Sequence, residues 1–256
     1  MIYGYFDESG CKNKPFVVIA GYVGRLKDWG KYLQMWRKEM GGRPSLHLAD
    51  MRLGSRSADR KYGDLLRRLG SVPGRANLRA FAGSVWTAPH AERIKRTIAE
   101  IGLSGYSVAL TAMVDAVLQS EGLPKSERIE FTFEDQLEFA VPRAATLRAF
   151  RQSDQHKTCP GNRSRVGKER SMEKGPLLEA SDYLSYALLQ QLLEPNSQKA
   201  KLTKPIIECS QPIGHTMVDD VNMASLIEHT YGGDIPRMDR YRRAFIIQEM
   251  KKSLNH

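Results

Sequence analysis

Five acidic residues of this 256-residue chain stand where a solvent-facing charge is not the simplest assignment. Asp7 and Glu8 close the first β-rich run, IYGYFDESG, immediately before Ser9 and Gly10. Carboxylates at the carboxyl end of a strand project where α/β sheets usually take their ligands. Asp-x-Ser-Gly is equally good turn chemistry, so these residues alone leave turn and site open. Glu134 and Asp135 close a later apolar run, RIEFTF, in the same manner, again as turn residues or as ligands. Asp182 differs, because its helical neighbours Leu178, Ser185 and Leu189 are apolar or small and place it near a buried stripe. A carboxylate there costs several kcal/mol unless something pairs it. The partner is either one of the abundant arginines or a divalent cation shared with the other acids. Three acids from two strand ends and a helix, without a Cys/His set beside them, suit a hard, oxygen-seeking ion, Mg²⁺ or Mn²⁺. Two such ions about 3.5–4 Å apart could activate a water and stabilise the leaving oxygen in phosphodiester cleavage.

The charge balance points the same way. Lys and Arg number 39 against 29 Asp and Glu, a net charge of +10 that favours a polyanionic partner such as DNA or RNA. Seven cations, Arg151, Lys157, Arg163, Arg165, Lys168, Arg170 and Lys174, fall within 151–176, opposed by Asp154, Glu169 and Glu173. Gly, Pro, Ser and Asn, without periodicity, predict a long loop there, and long loops inside compact domains are usually functional or disordered. Arg163, Arg165, Lys168 and Arg170 are its candidate phosphate contacts, the bland alternative being a solvated basic surface. Aromatics are sparse in this segment, so base stacking gets no support.

Other classes are disfavoured. Cys11, Cys159 and Cys209 share no close spacing, which argues against a disulfide framework or a four-ligand zinc site and fits a reducing, cytoplasmic setting. No apolar run approaches the roughly 20 residues that span a bilayer, and the start lacks a basic region followed by an apolar one. Neither a G-x-S-x-G elbow nor a phosphate-cradling Walker A loop occurs.

The elements that must position the acids follow from patterning. IYGYFDESG and PFVVIAGYVG (15–24) predict a β-hairpin around Gly10–Lys14. Trp29, Leu33, Trp36 and Met40 predict an amphipathic helix that ends at Gly41-Gly42-Arg43-Pro44. LHLADM (46–51) reads as extended, 58–69 as a helix, 78–87 as a strand, and 89–101 and 105–121 as helices. In 128–136, Ile129, Phe131 and Phe133 alternate with Glu130, Thr132 and Glu134, the period of a strand. PLLEASDYLSYALLQQLL (176–193) is a helix with Pro176 in its first turn. Beyond it are expected a short strand at 205–209 and helices near 219–230 and 236–253, with Tyr231 to Ile247 able to supply an interface between two copies. The mixture predicts one α/β domain over 1–256, a mixed central sheet opening with a hairpin and helices on both faces. The basic loop at 151–176 is an insertion in it, and a helical extension starts at about 195.

Y-x-D-E-S-G at the first strand, L-H after the first helix, F-E-D after a later strand and P-L-L-E-A-S-D-Y-L-S-Y-A near the end, in that order, resemble the bacterial and phage-associated domain-of-unknown-function family 3800. The motifs span residues 3 to about 190, roughly three quarters of the chain. Members of that family look like ribonuclease H-fold nucleases. The resemblance implies Asp7, Glu134 and Asp182 as metal-binding carboxylates of a divalent-metal-dependent nuclease, with Glu8 and Asp135 as helpers. It also implies that His47, at the L-H position, orients a phosphate or shuttles a proton. Glu179 and Ser181 depart from the Gln or Ala that the family often has, which puts Glu179 in play as an extra ligand or a surface acid. The alternative is a module of the same fold in a phage-defence or mobile-element system that binds nucleic acid or a partner without cutting.

Overall fold

The computed structural model describes residues 1–10, 15–45, 47–51, 53, 55–87, 104–152, 164–172 and 175–218, with the backbone alone at 49, 50, 56 and 168. The opening hairpin is present: β1 (Ile2–Ser9) and β2 (Phe16–Gly24) pair antiparallel, with Asp7 opposite Ala20. At the end of β1, Gly10 has φ +86°, and a Cβ there would run into the Phe16 carbonyl oxygen. Only glycine fits such a position without strain.

β3 (Arg79–Trp86) continues the antiparallel meander beside β2. β4 (Ile129–Glu134) lies parallel to β1 on its other side, β5 (Val166–Met172) lies parallel to β4, and β6 (Ile213–Val218) lies parallel to β3. Among the described residues the result is a mixed six-stranded sheet in the order β5-β4-β1-β2-β3-β6. Phe6 is in register with Phe133, so Asp7 and Glu134 are the next residues on two adjacent parallel strands, both at the carboxyl edge.

Among the described residues the helices are α1 (Leu26–Met40), α2 (Arg56–Arg75), α3 (Gly105–Gln119), α4 (Leu137–Gln152), α5 (Pro176–Leu193) and α6 (Gln198–Cys209). They cover both faces of the sheet. α3 and α4 bury one face around Phe6, Phe131, Phe133, Val114, Leu147 and Phe150. On the other face α1, α2, α5 and α6 enclose Val18, Tyr22, Trp36, Leu66, Tyr183 and Ile206. α3 is buried on nearly all sides and lies so close to β3 that a Cβ on Gly83 would strike the Ala109 carbonyl. No described helix is long and apolar enough to cross a membrane.

Several boundaries differ from expectation. The helix expected at 58–69 extends to Arg56–Arg75, because Ser55 caps it by accepting the Ala58 N–H at 3.2 Å. Leu48–Met51 is a 3₁₀ turn rather than an extended piece. Residues 205–209, β-rich in composition, end α6: Ser197 caps that helix, and Ala200, Thr203 and Ile206 face inward at helical spacing. No strand forms at 205–209; the next strand, β6, starts at Ile213. The stretch 151–176 is not one loop, since 166–172 form the edge strand β5, whose charged residues suit an edge. The helices expected at 89–101, 219–230 and 236–253, and the segment from Tyr231 to Ile247, lie outside the described residues.

Candidate functional site

Strand parity separates the first acidic pair. Phe6 points into the core under α3 and α4, so Asp7 points to the opposite face, where α5 packs, and Glu8 points back toward α4. The same alternation beyond Phe133 puts Glu134 on the Asp7 side. α5 is seated over them by small residues. Ser181 Oγ donates to the Tyr5 carbonyl at 2.8 Å, and Ser185 Oγ lies 3.3 Å from Ser9 Oγ. These two contacts, one turn apart on α5 and either side of Asp7 on β1, bring Asp182 over the end of the strand. Asp182 is buried and bonds His47 Nδ1 through Oδ2 at 2.8 Å, so the connection between α1 and α2 also reaches the site.

The electrostatics are those of crowded anions. Asp7 is 3% exposed, and its carboxyl is held well above the usual carboxylate range by burial and then by Glu8, Asp182 and Glu134, against the Glu8 backbone N–H that bonds it at 2.9 Å. Glu8 is pushed up to about 7, mainly by burial; Arg143 opposes the rise, while Glu134 and Glu138 add to it. Both carboxylate oxygens of Glu8 are buried and have no hydrogen-bond partner among the described residues. Such groups are costly unless a ligand or water meets them.

Arg143, which belongs to none of the acidic or basic motifs of the sequence, lies beneath this cluster and is 1% exposed. Its Nε donates to Glu169 at 2.5 Å, one Nη to the Glu134 carbonyl at 3.1 Å and the other to Ser171 Oγ at 2.8 Å, while its guanidinium lies over the Phe133 ring. It therefore ties the end of β4 to β5 and faces Glu8 with a positive charge. The signal was present: Arg143, Thr146, Leu147 and Phe150 are spaced at i, i+3, i+4 and i+7, the buried stripe of α4.

Of the residues singled out from sequence, the structure brings together Asp7, Glu8, Glu134, Asp182 and His47. Asp135 is exposed, with its N–H on the Met172 carbonyl, and it is not among the groups that act on Asp7. Glu179 is neither a surface acid nor turned to solvent: it is 2% exposed and accepts the Trp36 indole N–H at 2.5 Å. Arg165 is 2% exposed and donates to the Leu118 carbonyl at 2.7 Å, so it clasps the chain instead of facing a ligand. Arg170 is exposed but paired with Glu130 at 2.9 Å. Arg163 and the side chain of Lys168 lie outside the described residues.

Among the described residues, no three His, Cys, Asp or Glu side chains stand in position to hold a metal ion together. The chemistry of the donors nevertheless fits a hard divalent cation: oxygen ligands, mutual repulsion that a cation would relieve, and the orphaned Glu8 oxygens. No family model, curated protein or solved structure matches the chain.

Proposed function

We propose that the chain is a divalent-metal-dependent nuclease of ribonuclease H-like fold, akin to the domain-of-unknown-function family 3800, working in a reducing, cytoplasmic setting. The observation that carries this reading is the convergence of Asp7, Glu134 and Asp182 from two parallel strand ends and a helix, with Asp7 buried and raised by its acidic neighbours. Buried, like-charged carboxylates at the carboxyl edge of a sheet are costly to folding, and functional sites are where such arrangements concentrate. The mixed sheet that opens with a hairpin and carries helices on both faces supports the same fold.

Asp7, Glu134 and Asp182 would hold Mg²⁺ or Mn²⁺. When bound, the metal would supply an activated water and neutralise charge on the leaving oxygen of a phosphodiester. His47 orients the Asp182 carboxylate through its Nδ1 contact and, with 40% of its side chain exposed, can meet a phosphate from the solvent side. Glu8, raised to about 7, holds or releases a proton near neutral pH beside the cluster. Arg143 fixes the end of β4 and so the position of Glu134.

The test is cleavage of labelled single- and double-stranded DNA and RNA in Mg²⁺ or Mn²⁺, with EDTA as control. Asp7→Asn should abolish cleavage while the variant stays folded; retained cleavage would overturn the assignment. Binding in EDTA with no cleavage in either metal on any substrate would favour the non-cutting module instead.

A further inference from the structure

The positive charge of this chain is not centred on 151–176. Residues 26–75, which hold α1, α2 and the connection between them, carry twelve Lys and Arg against five Asp and Glu, seven of the net ten positive charges. On α1 the arrangement is one-sided. Lys27, Lys31, Arg37 and Lys38 are exposed and form no ion pair among the described residues. Both acids of the helix are already engaged: Asp28 is buried and accepts the Arg25 N–H, and Glu39 is bonded by Arg68 at 3.1 Å and Arg75 at 3.4 Å. Lys27, Lys31 and Lys38 fall at i, i+4 and i+11, which is one stripe down the outer face.

That stripe leads to the site. Trp29 donates to the Tyr3 carbonyl at the start of β1, Tyr32 to the Pro176 carbonyl at the start of α5, and Trp36 to Glu179 one turn along α5. α1 therefore runs alongside both elements toward the carboxyl edge, and the chain that leaves it places His47 on Asp182. Helix stability does not explain the charges. Arg37 and Lys38 suit the negative end of the helix dipole, but Lys27 sits in the first turn, where a cation opposes it, and Lys31 lies beyond the reach of either end.

We propose that the outer face of α1 is a phosphate-backbone binding surface that delivers a nucleic-acid strand to the carboxylate cluster. This rests on the nuclease reading for the nature of the ligand and assigns the grip to α1 instead of to Arg165 and Arg170. The stripe from Lys27 to Lys38 is about 16 Å long at 1.5 Å per residue, roughly five nucleotides of strand rise.

The experiment measures binding in EDTA, by fluorescence anisotropy, of a labelled DNA duplex and of a single-stranded RNA, across about 50 to 200 mM salt. The wild type is compared with the triple variant Lys27→Gln, Lys31→Gln, Lys38→Gln. A second triple variant, Lys199→Gln, Lys201→Gln, Lys204→Gln, removes the same charge from α6. Losing three phosphate contacts should lower the slope of log K against log salt by about 2.7 on the duplex or about 2.1 on the single strand. The α6 variant should keep the wild-type slope, and both variants should keep the wild-type melting temperature. An α1 variant with the wild-type slope, or an equal loss in the α6 variant, overturns the proposal while leaving the nuclease reading intact. A wild type without salt-dependent binding on either probe overturns both.

Discussion

Replacing Glu8 by glutamine should stabilise the protein at pH 8 in EDTA and leave it unchanged at pH 4. The Glu8 carboxyl rises from its ordinary 4.5 to about 7 in the folded chain, mainly because its oxygens are buried, with no hydrogen-bond partner among the described residues. Between those two values the native state keeps a proton that the unfolded chain has released, so stability falls as pH rises through that window. At about 1.4 kcal/mol per unit, the full difference is about 3 kcal/mol above pH 7. Glutamine has the same shape and never ionises, so it escapes that loss. For a chain of this size about 2–4 °C of melting temperature accompanies each kcal/mol, so Glu8→Gln should melt roughly 6–12 °C above wild type at pH 8. Thermal unfolding followed by circular dichroism from pH 4 to pH 8 reads this directly. Identical melting curves for the two proteins at every pH would refute the reasoning, and a variant less stable at pH 8 would mean that the charged carboxylate has a partner.

Three further outcomes follow from the same geometry. Millimolar Mg²⁺ or Mn²⁺ should raise the wild-type melting temperature, by about 2.7 kcal/mol of stability at a hundredfold excess over Kd, and the rise should vanish in Asp182→Asn; a scan of both proteins with and without EDTA checks it. Arg143→Met should destabilise by about 3–5 kcal/mol, since it leaves Glu169 without its buried partner and frees the β4–β5 junction, and denaturant unfolding would register a lower midpoint at unchanged slope. Gly10→Ala should cost more than about 1 kcal/mol, because the left-handed backbone at Gly10 and the Phe16 carbonyl both reject a Cβ; an unfolding midpoint equal to wild type would count against that turn geometry.

How much of this could be read from the sequence depends on the range of the interactions involved. The opening hairpin, α1 and α5 were legible because each carries a local pattern: alternating apolar residues, a 3.6-residue stripe, a proline in a first turn. Asp182 was legible for the same reason, as an acid whose helical neighbours Leu178, Ser185 and Leu189 are apolar or small. α6 was misread because PIIEC has strand composition, whereas the Ser197 cap and the inward face of Ala200, Thr203 and Ile206 favour helix. β5 was misread because a charged edge strand has little apolar alternation; pairing with β4 and the reach of Arg143 hold it in place.

The sequence by itself determined which side chains are acidic, that five of them end strands or lie near a buried helical stripe, and that a mixed α/β chain carries them. Tertiary structure alone decided which acids act on one another. Register between β1 and β4 turns Glu134, not Asp135, toward Asp7, since adjacent residues of a strand face opposite ways. Ser181 and Ser185 set α5 on β1, and so Asp182 over Asp7, through contacts some 176 residues apart in the chain. The fate of Arg165 was likewise a matter of packing: indistinguishable by type from the exposed cations, it is buried where the Leu118 carbonyl of a distant segment accepts from it. Side-chain type is a local property, whereas burial, pairing and raised acidity constants arise only when remote segments close around a site.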